Sequence, residues 1–326
     1  MKTGILLLNL GGPDTLDAVR PFLTRIFTDR EIIRLPGGAI GQAVIGRMIA
    51  NKRTPEVQEN YRKIGGGSPI VRWTTLQARG ITERLRERGH DVVAAMAMRY
   101  WNPTTEQALD ELLGEGVDRL LALTLYPHYS MATTGSSVAE LQRVMRRRGI
   151  RLPLDRIDQW YDHPGYLDAL AHRVRVALEV HFQGKRPTLL VSAHGLPKHF
   201  IDAGDPYCEH IRITMECVLR RLPPMPHVLG YQSIVGPVEW IGPSTDQVIR
   251  DLARDQVKDV LVLPISFVSD HVETLYEVDL LYGDQARALG ITNFRRVQSL
   301  NDFPPFLDAL ADLVETRLRT PAARSA

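Results

Sequence analysis

The chain has 326 residues, of which 44% are apolar and 24% charged, and its formal net charge is +2 at pH 7. This composition is ordinary for a soluble globular enzyme of up to two domains, and the small net charge, without a long basic run, gives no reason to expect nucleic-acid binding. Two cysteines, Cys208 and Cys217, exclude a disulfide framework or a cysteine-ligated cluster. With neither a signal peptide nor an apolar run of roughly 20 residues in view, we expect a protein of the reducing cytoplasm.

Short apolar runs and amphipathic helical patterns alternate along the chain. The helical patterns include TTEQALDELLGEG (104–116) and STDQVIRDLARDQ (244–256), each of which follows a predicted strand. Strands that alternate with helices are typical of parallel sheets built from βαβ units. The predicted strands are GILLLNL, DVVAAMAMRY, RLLALTLYP, TLLVSAHG, HVLGYQS and LVLPISFV. We therefore predict an α/β fold.

An internal repeat divides the chain into two similar halves. Residues 102–125 align without a gap on residues 242–265, so that Pro103 matches Pro243, an offset of 140. LLLNLGGP also aligns on LVSAHGLP, with Pro13 on Pro197, an offset of 184. The repeat predicts two related domains, 1–155 and 156–302, followed by a C-terminal segment, 303–326.

The difference between the two offsets, 184 and 140, places about 44 extra residues in the first half. This insert lies at about 28–71, and its part from Ile32 to Arg53 is apolar with four basic residues and no acidic one. Such a segment fits the surface of an anionic membrane, but it fits a helix packed on the domain core as well. Both interpretations stay open at this point.

Ionisable side chains follow two buried strands of the second half. His194 ends the strand TLLVSAH, and LVLPISFV leads into SDHVETLYEVDLLY, in which Ser269 and Asp270 are predicted to cap a helix. On this helix Asp270, Glu273 and Glu277 would share one face, with His271 beside them. Because open α/β sheets bind ligands at the carboxyl ends of their strands, we expect a site for a divalent cation or a proton relay here.

Aromatic side chains cluster in the loops that follow other strands. These residues are Tyr100, Trp101, Tyr126, Tyr129, Tyr231 and Trp240. They could line a pocket for a large flat apolar ligand, with Arg99 available for a carboxylate, although we expect about half of them to be core residues.

Taken together, these segments closely resemble the ferrochelatases over nearly the whole chain. The matching motifs are NLGGPDT, YRKIGGGSPI, RYWNP, YPHYSMATTGSS, SAHGLP, GDPY, YQSIVGPVEWIGPSTD and PISFVSDHVETLYEVD, in the order of the family. The resemblance implies a lyase that inserts Fe2+ into protoporphyrin IX and releases two protons, the last step of haem synthesis. It also implies two similar Rossmann-like, chelatase-type domains, with a C-terminal helix that crosses back within 303–326.

The resemblance assigns roles to individual positions of this sequence. His194 and Glu273 match the catalytic and metal-insertion pair, and Asp270, His271 and Glu277 match an acidic relay. The matching porphyrin-binding positions are Leu10, Arg99, Tyr100, Tyr126, Ser130 and Trp240. The apolar insert matches the lip through which porphyrin enters, which favours peripheral contact with the inner face of the membrane.

Two departures from the family pattern refine the expected chemistry. Family members with a [2Fe-2S] cluster carry cysteines where this chain has Met131 and a cysteine-free tail, so we expect neither a cluster nor another permanent cofactor. Members that act on coproporphyrin often carry Tyr where this chain has Leu10, which favours protoporphyrin. A coproporphyrin III ferrochelatase and a non-catalytic tetrapyrrole carrier are the alternatives.

Overall fold

Two parallel sheets of four strands each, flanked by helices, build the chain in a computed structural model that describes residues 1–234, 236 and 238–320. The chain divides into two compact units. The first comprises Met1–Tyr126, Met131–Gln159 and the chain from Leu310 onward, and the second comprises Pro127–Ser130 and Trp160–Ala309. The domain limits expected from the sequence lay at 155 and 302. Residues 321–326 of the predicted C-terminal segment lie outside the described residues.

In the first unit the strand order is β2-β1-β3-β4, and all pairs are parallel. The strands are β1 (Thr3–Asn9), β2 (Val92–Met98), β3 (Arg119–Thr124) and β4 (Leu154–Ile157). The helices are α1 (Val19–Phe27), α2 (Gly38–Lys63), α3 (Ile70–Glu87), α4 (Thr105–Gly114) and α5 (Ser136–Arg148), the last preceded by a π-helical turn, Met131–Gly135. Every residue of β1 is buried, as expected for a strand covered on both faces.

In the second unit the order is β6-β5-β7-β8, again parallel. The strands are β5 (Thr188–His194), β6 (His227–Gln232), β7 (Asp259–Pro264) and β8 (Asn293–Arg296). The α-helices are α6 (Pro164–Phe182), α7 (Lys198–Asp202), α8 (Tyr207–Leu219), α9 (Thr245–Arg254), α10 (Gly283–Ala288) and α11 (Pro304–Arg319), and a π-helix spans Glu273–Tyr282. The division into units falls within α11, which belongs to the second unit up to Ala309.

The predicted repeat is confirmed by strand order and register. Leu8 pairs with Thr124 in the first sheet, and Ser192 pairs with Pro264 in the second, so the offsets of 184 and 140 recur in space. The helices α4 and α9 are also 140 residues apart. Each begins at a hydroxyl side chain, Thr104 or Ser244, that accepts a hydrogen bond from a backbone N–H in the first turn.

Two features of the elements differ from the sequence-based expectation. The edge strands β4 and β8 were not predicted, because LDRI and NFRR are four residues long and carry charged side chains. The segment after β7 is a π-helix rather than an α-helix, and Val272, not Asp270, stands at its N-cap without a side-chain bond. The prediction that Ser269 and Asp270 cap this helix was therefore wrong.

Small residues let the insert of the first unit pack closely. A Cβ atom on Gly46 of α2 would lie 2.5 Å from the carbonyl oxygen of Phe27, so only glycine permits this approach to α1. In the loop GGGSP a Cβ on Gly67 would lie 2.2 Å from the carbonyl oxygen of Asp14. The glycine there accommodates the chain's own backbone. Within the described ranges of the chain, no helix is long and apolar enough to cross a membrane.

Candidate active site

The candidate site lies where three neighbouring strands of the second sheet end. β5 stands between β6 and β7, so the ends of these strands lie side by side at the carboxyl edge. β5 ends at His194, Ser233 follows β6, and Ser266 follows β7 and leads on to the π-helix. This edge is where open parallel sheets bind their ligands.

His194 and Glu273 form the centre of the site. The Nδ1 atom of His194 lies 2.7 Å from Oε2 of Glu273, and the side chains are 32% and 22% exposed. Burial disfavours the charged imidazolium, but the carboxylates of Glu273 and Glu277 outweigh it and raise the pKa of His194. Burial likewise opposes ionisation of Glu273, but the charge of His194 and the hydrogen bond to it lower the pKa of that carboxyl. The two residues therefore stabilise each other as an ion pair.

The backbone of His194 is held by two hydroxyl groups. The N–H of His194 donates to Oγ of Ser266 at 3.0 Å, and the hydroxyl of Tyr207 donates to the carbonyl oxygen of His194 at 3.0 Å. The two hydroxyl oxygens lie 2.6 Å apart. Because Nδ1 faces Glu273, the neutral tautomer that donates to this carboxylate carries its lone pair on Nε2. The imidazole is thus oriented to accept a proton at Nε2.

Ser233 joins the two glutamates of the site. Its Oγ atom lies 2.7 Å from Oε2 of Glu273 and 2.6 Å from Oε2 of Glu277, and its backbone N–H donates to Oε1 of Glu277 at 2.8 Å. A serine hydroxyl has one proton, so it can donate to only one carboxylate. Burial, and then the charge of Glu273, raise the pKa of Glu277, so this carboxyl ionises less readily than that of Glu273. His194, Glu273, Ser233 and Glu277 then form a continuous hydrogen-bonded chain.

Of the remaining acidic-relay candidates, Asp270 bonds to residues outside the His194–Glu273–Ser233–Glu277 hydrogen-bonded chain, and His271 packs on a residue that contacts His194. Asp270 accepts hydrogen bonds from Thr274, Arg296, Ser299 and Asn301 at 2.7–3.0 Å. Burial opposes its ionisation, but Arg296 and these donors lower the pKa of Asp270. His271 packs edge-on against Phe267, which in turn packs edge-on against His194. Burial lowers the pKa of His271, and its Nδ1 has no hydrogen-bond partner within the described part of the chain.

Four of the predicted porphyrin positions, Leu10, Arg99, Tyr100 and Tyr126, lie in the first unit. Leu10 is half-buried directly after β1. Arg99, 12% exposed, pairs with Asp29 and donates from Nε to Oγ of Ser136 at 2.9 Å. The hydroxyl of Tyr100 also donates to Asp29, at 2.8 Å.

The contacts of Arg99 and Tyr100 tie the strand-end motif RYWNP to the start of the insert. Tyr126 lies within 3.5 Å of the Ser137 hydroxyl, and burial raises the pKa of its own hydroxyl.

The other two predicted porphyrin positions, Ser130 and Trp240, lie in the second unit. Ser130 is buried and donates to Oδ2 of Asp205 at 2.8 Å. Trp240 forms a β-bridge with Pro197, two residues after Gly195. Among the six aromatic residues considered above, Tyr100, Trp101 and Tyr231 are buried, whereas Tyr126, Tyr129 and Trp240 are partly exposed.

The sequence reasoning missed Ser233 and Arg296. A signal for Ser233 was present, because it directly follows β6, and the strand beside β6 in the sheet, β5, ends at His194. No such signal marked Arg296, which stands on the unpredicted edge strand β8. Within the described parts of the chain, no group of three or more His, Cys, Asp or Glu side chains could hold a metal ion.

Comparison with known proteins identifies the family. The family model described as Ferrochelatase matches residues 2–318. The chain belongs to the ferrochelatase family. A ferrochelatase from Geotalea uraniireducens is 48% identical over 313 residues, which cover 96% of this chain and 97% of that protein. A ferrochelatase from a Synechococcus strain is 44% identical and is covered over 84% of its length. The protein is accordingly a metal chelatase, as the sequence predicted.

Solved structures support the chelatase fold of this ferrochelatase. SirB from Bacillus subtilis with Fe3+ superimposes with a TM-score of 0.60, covering 98% of this chain and 96% of that chain at 11% sequence identity. The sirohydrochlorin chelatase SirB in complex with cobalt gives a TM-score of 0.56 at 12% identity. At such low identity the likeness concerns the fold alone, and it confirms the predicted two-domain architecture.

Proposed function

We propose that this ferrochelatase inserts Fe2+ into protoporphyrin IX to give protohaem, as the last step of haem biosynthesis, and that His194 and Glu273 carry the reaction. The observation that supports this assignment is the paired imidazole and carboxylate, 2.7 Å apart, at the carboxyl end of β5. A nitrogen and an oxygen ligand of this kind suit a divalent first-row metal such as Fe2+, which is a substrate here. A carboxylate beside an imidazole also suits a proton acceptor.

The reaction removes two protons from the porphyrin nitrogens and forms four bonds from those nitrogens to the iron. In our proposal, Nε2 of His194 accepts a pyrrole proton, and the carboxylate of Glu273 stabilises the resulting imidazolium. The chain from Glu273 through Ser233 to Glu277 can pass protons on by exchange along its hydrogen bonds. Interactions with the large face of the macrocycle would supply the binding energy that bends it and exposes its nitrogens to the metal.

We assign porphyrin contacts to Leu10, Arg99, Tyr100, Tyr126, Ser130 and Trp240, on the family resemblance. The fixed position of Arg99, held by Asp29 and Ser136, supports a role in orienting a propionate rather than in bearing the reacting atoms. His271, neutral and next to Phe267, is a further candidate for the relay.

The substrate assignment depends on Leu10, which offers an apolar side chain and no ligand atom to iron. We expect turnover of protoporphyrin IX, with kcat/KM at least about tenfold above that of coproporphyrin III, a difference of ~1.4 kcal/mol. The measurement is anaerobic: purified protein with Fe2+ and either porphyrin, followed by loss of porphyrin fluorescence and appearance of the haem spectrum. Preference for the tetracarboxylate porphyrin would identify a coproporphyrin enzyme. Stoichiometric binding without haem formation would indicate a carrier.

We further propose that the insert docks this cytoplasmic enzyme peripherally on the inner face of the membrane. Ile40, Val44 and Met48 lie four residues apart on α2 and are 80%, 52% and 64% exposed. The opposite face of this part of α2 packs through Gly46 and other small or polar side chains. Exposed basic residues flank the apolar stripe, namely Arg34, Arg47 and Lys52. An apolar stripe with cationic flanks is the pattern of an interfacial helix.

Replacing Ile40, Val44 and Met48 together with serine is expected to lower affinity for anionic vesicles at least about tenfold, because each apolar side chain contributes on the order of 1 kcal/mol or more when buried. Cosedimentation with vesicles containing phosphatidylglycerol measures the effect. The matched control replaces Val176 and Val180, exposed apolar residues of α6, with serine. Equal loss in the control, or unchanged binding by the triple variant, would contradict this docking surface.

A further inference from the structure

Arg296 is a buried arginine on β8 whose side chain is 10% exposed. Its guanidinium group makes two parallel bonds to Asp279, from Nε to Oδ1 and from Nη2 to Oδ2, each 2.8 Å long. The remaining nitrogen, Nη1, donates to Oδ1 of Asp270 at 2.9 Å. One rigid planar group therefore binds two carboxylates at once.

The two aspartates lie on either side of the glutamates that bear the proposed chemistry. Asp270 precedes Glu273, and Asp279 follows Glu277. Asp270 is fixed in turn by Ser299 at 2.7 Å and by Asn301 at 2.9 Å, both from the segment after β8. Residues on β8 and directly after it thus bind the segment 270–279 at both of its ends.

These hydrogen bonds are important because the segment they hold includes most of a π-helix, Glu273–Tyr282. A π-helix is rare, appears mostly as single turns, and frequently marks functional sites. Its wide turn sets the directions of Glu273 and Glu277, which must both reach the single hydroxyl of Ser233, at 2.7 Å and 2.6 Å. Contacts from outside the helix, such as the bonds of Arg296 to Asp270 and Asp279, can hold these directions.

We propose that Arg296 is a positioning residue for metal insertion, which holds the π-helix through Asp270 and Asp279 so that Glu273 meets His194 and Ser233. The inference rests on the proposed function of His194 and Glu273. Lysine cannot replace arginine in this role, because an ammonium group is a point charge and cannot make the parallel pair of bonds to Asp279. Asp270 serves as an anchor in this arrangement, where its carboxylate accepts hydrogen bonds from Thr274, Arg296, Ser299 and Asn301.

The test compares Arg296→Lys with Arg295→Lys. Arg295 is the adjacent residue of β8, exposed, and its Nε donates to Asn293. We expect Arg296→Lys to lower kcat about 10- to 100-fold, because displacements of about 1 Å in an active site have effects of this size. The KM and Kd for porphyrin should stay within about twofold of wild type, and Arg295→Lys should resemble wild type throughout.

A second variant, Asp279→Asn, loses the parallel bonds but leaves the contact between Arg296 and Asp270, and it serves if Arg296→Lys does not fold. For this variant too, kcat should fall while the affinity for porphyrin stays close to that of wild type. Hydrogen exchange without substrates adds a readout independent of turnover: amides of 270–282 should exchange at least about tenfold faster in both variants, while those of β5 and β7 keep their protection.

Wild-type kcat and exchange rates in both variants would overturn the proposal. So would a parallel loss of kcat, porphyrin affinity and protection across the whole second unit, which would indicate a general structural role. Failure of the wild-type protein itself to insert metal would instead contradict the proposed function, and the exchange experiment would still decide whether Arg296 holds the π-helix.

Discussion

Replacing His194 with alanine is expected to lower kcat for metal insertion about 10²- to 10⁴-fold, the range typical for loss of a general base. Protoporphyrin should still bind, with a Kd within about threefold of wild type, since the macrocycle is held mainly through its large apolar face. Single-turnover formation of haem under anaerobic conditions, with porphyrin fluorescence titrated separately, measures the two quantities. A large effect on the first and a small one on the second would assign His194 to the chemical step.

The structural reason lies in the position of the imidazole. His194 contacts Glu273 through Nδ1, and its backbone is fixed by Ser266 and Tyr207, so the ring is held in one orientation. Alanine removes the proposed proton acceptor and one of the two side chains to which we assign metal binding. It also leaves the carboxylate of Glu273 without its cationic partner, which raises the pKa of that carboxyl towards that of an ordinary buried glutamate.

The matched control is His199→Ala. His199 lies five residues further along the chain, on α7, and is exposed. It should show wild-type kcat and porphyrin affinity. If both histidine variants were equally active, or if His194→Ala lost porphyrin binding and activity to the same extent, the imidazole of His194 would only shape the pocket.

Much of this architecture could be predicted from the sequence because it depends on regular patterns. Continuous apolar runs predicted the buried central strands, and the repeat predicted the equivalent positions of β3 and β7 and of β1 and β5. The pairing of His194 with Glu273 could be anticipated because both follow neighbouring strands, whose ends meet at one edge of a parallel sheet.

The rest depends on contacts between residues that are distant in sequence. An α-helical periodicity places Asp270 on the same face as Glu273, whereas in the structure Arg296, Ser299 and Asn301 bind Asp270 and the segment forms a π-helix. Tertiary contacts of this kind override local helix geometry, and a single sequence does not reveal them. The edge strand that supplies Arg296 was itself too short and too charged to be recognised.

Replacing Glu273 with glutamine is expected to shift the acidic limb of the pH–rate profile to lower pH and to reduce the plateau kcat about 10- to 100-fold. The proposed mechanism needs neutral His194, so it predicts that kcat falls as the pH drops through the pKa of this residue. Burial lowers that pKa, and the carboxylate of Glu273, with a smaller contribution from Glu277, raises it above its usual value. Without the charge of Glu273 the effect of burial prevails, and His194 stays neutral at lower pH.

The variant Glu277→Gln provides a graded comparison, because the charge of Glu277 raises the pKa of His194 less than that of Glu273 does. It should move the acidic limb in the same direction but by less. Measurement of kcat from pH 5 to 9 at saturating porphyrin, with Zn2+ in place of Fe2+ to avoid oxidation, gives the three profiles under identical conditions. An acidic limb that stayed in place in Glu273→Gln, or moved to higher pH, would mean that a group other than His194 accepts the rate-determining proton. A shift in Glu277→Gln as large as in Glu273→Gln would instead mean that the whole hydrogen-bonded chain titrates as one unit.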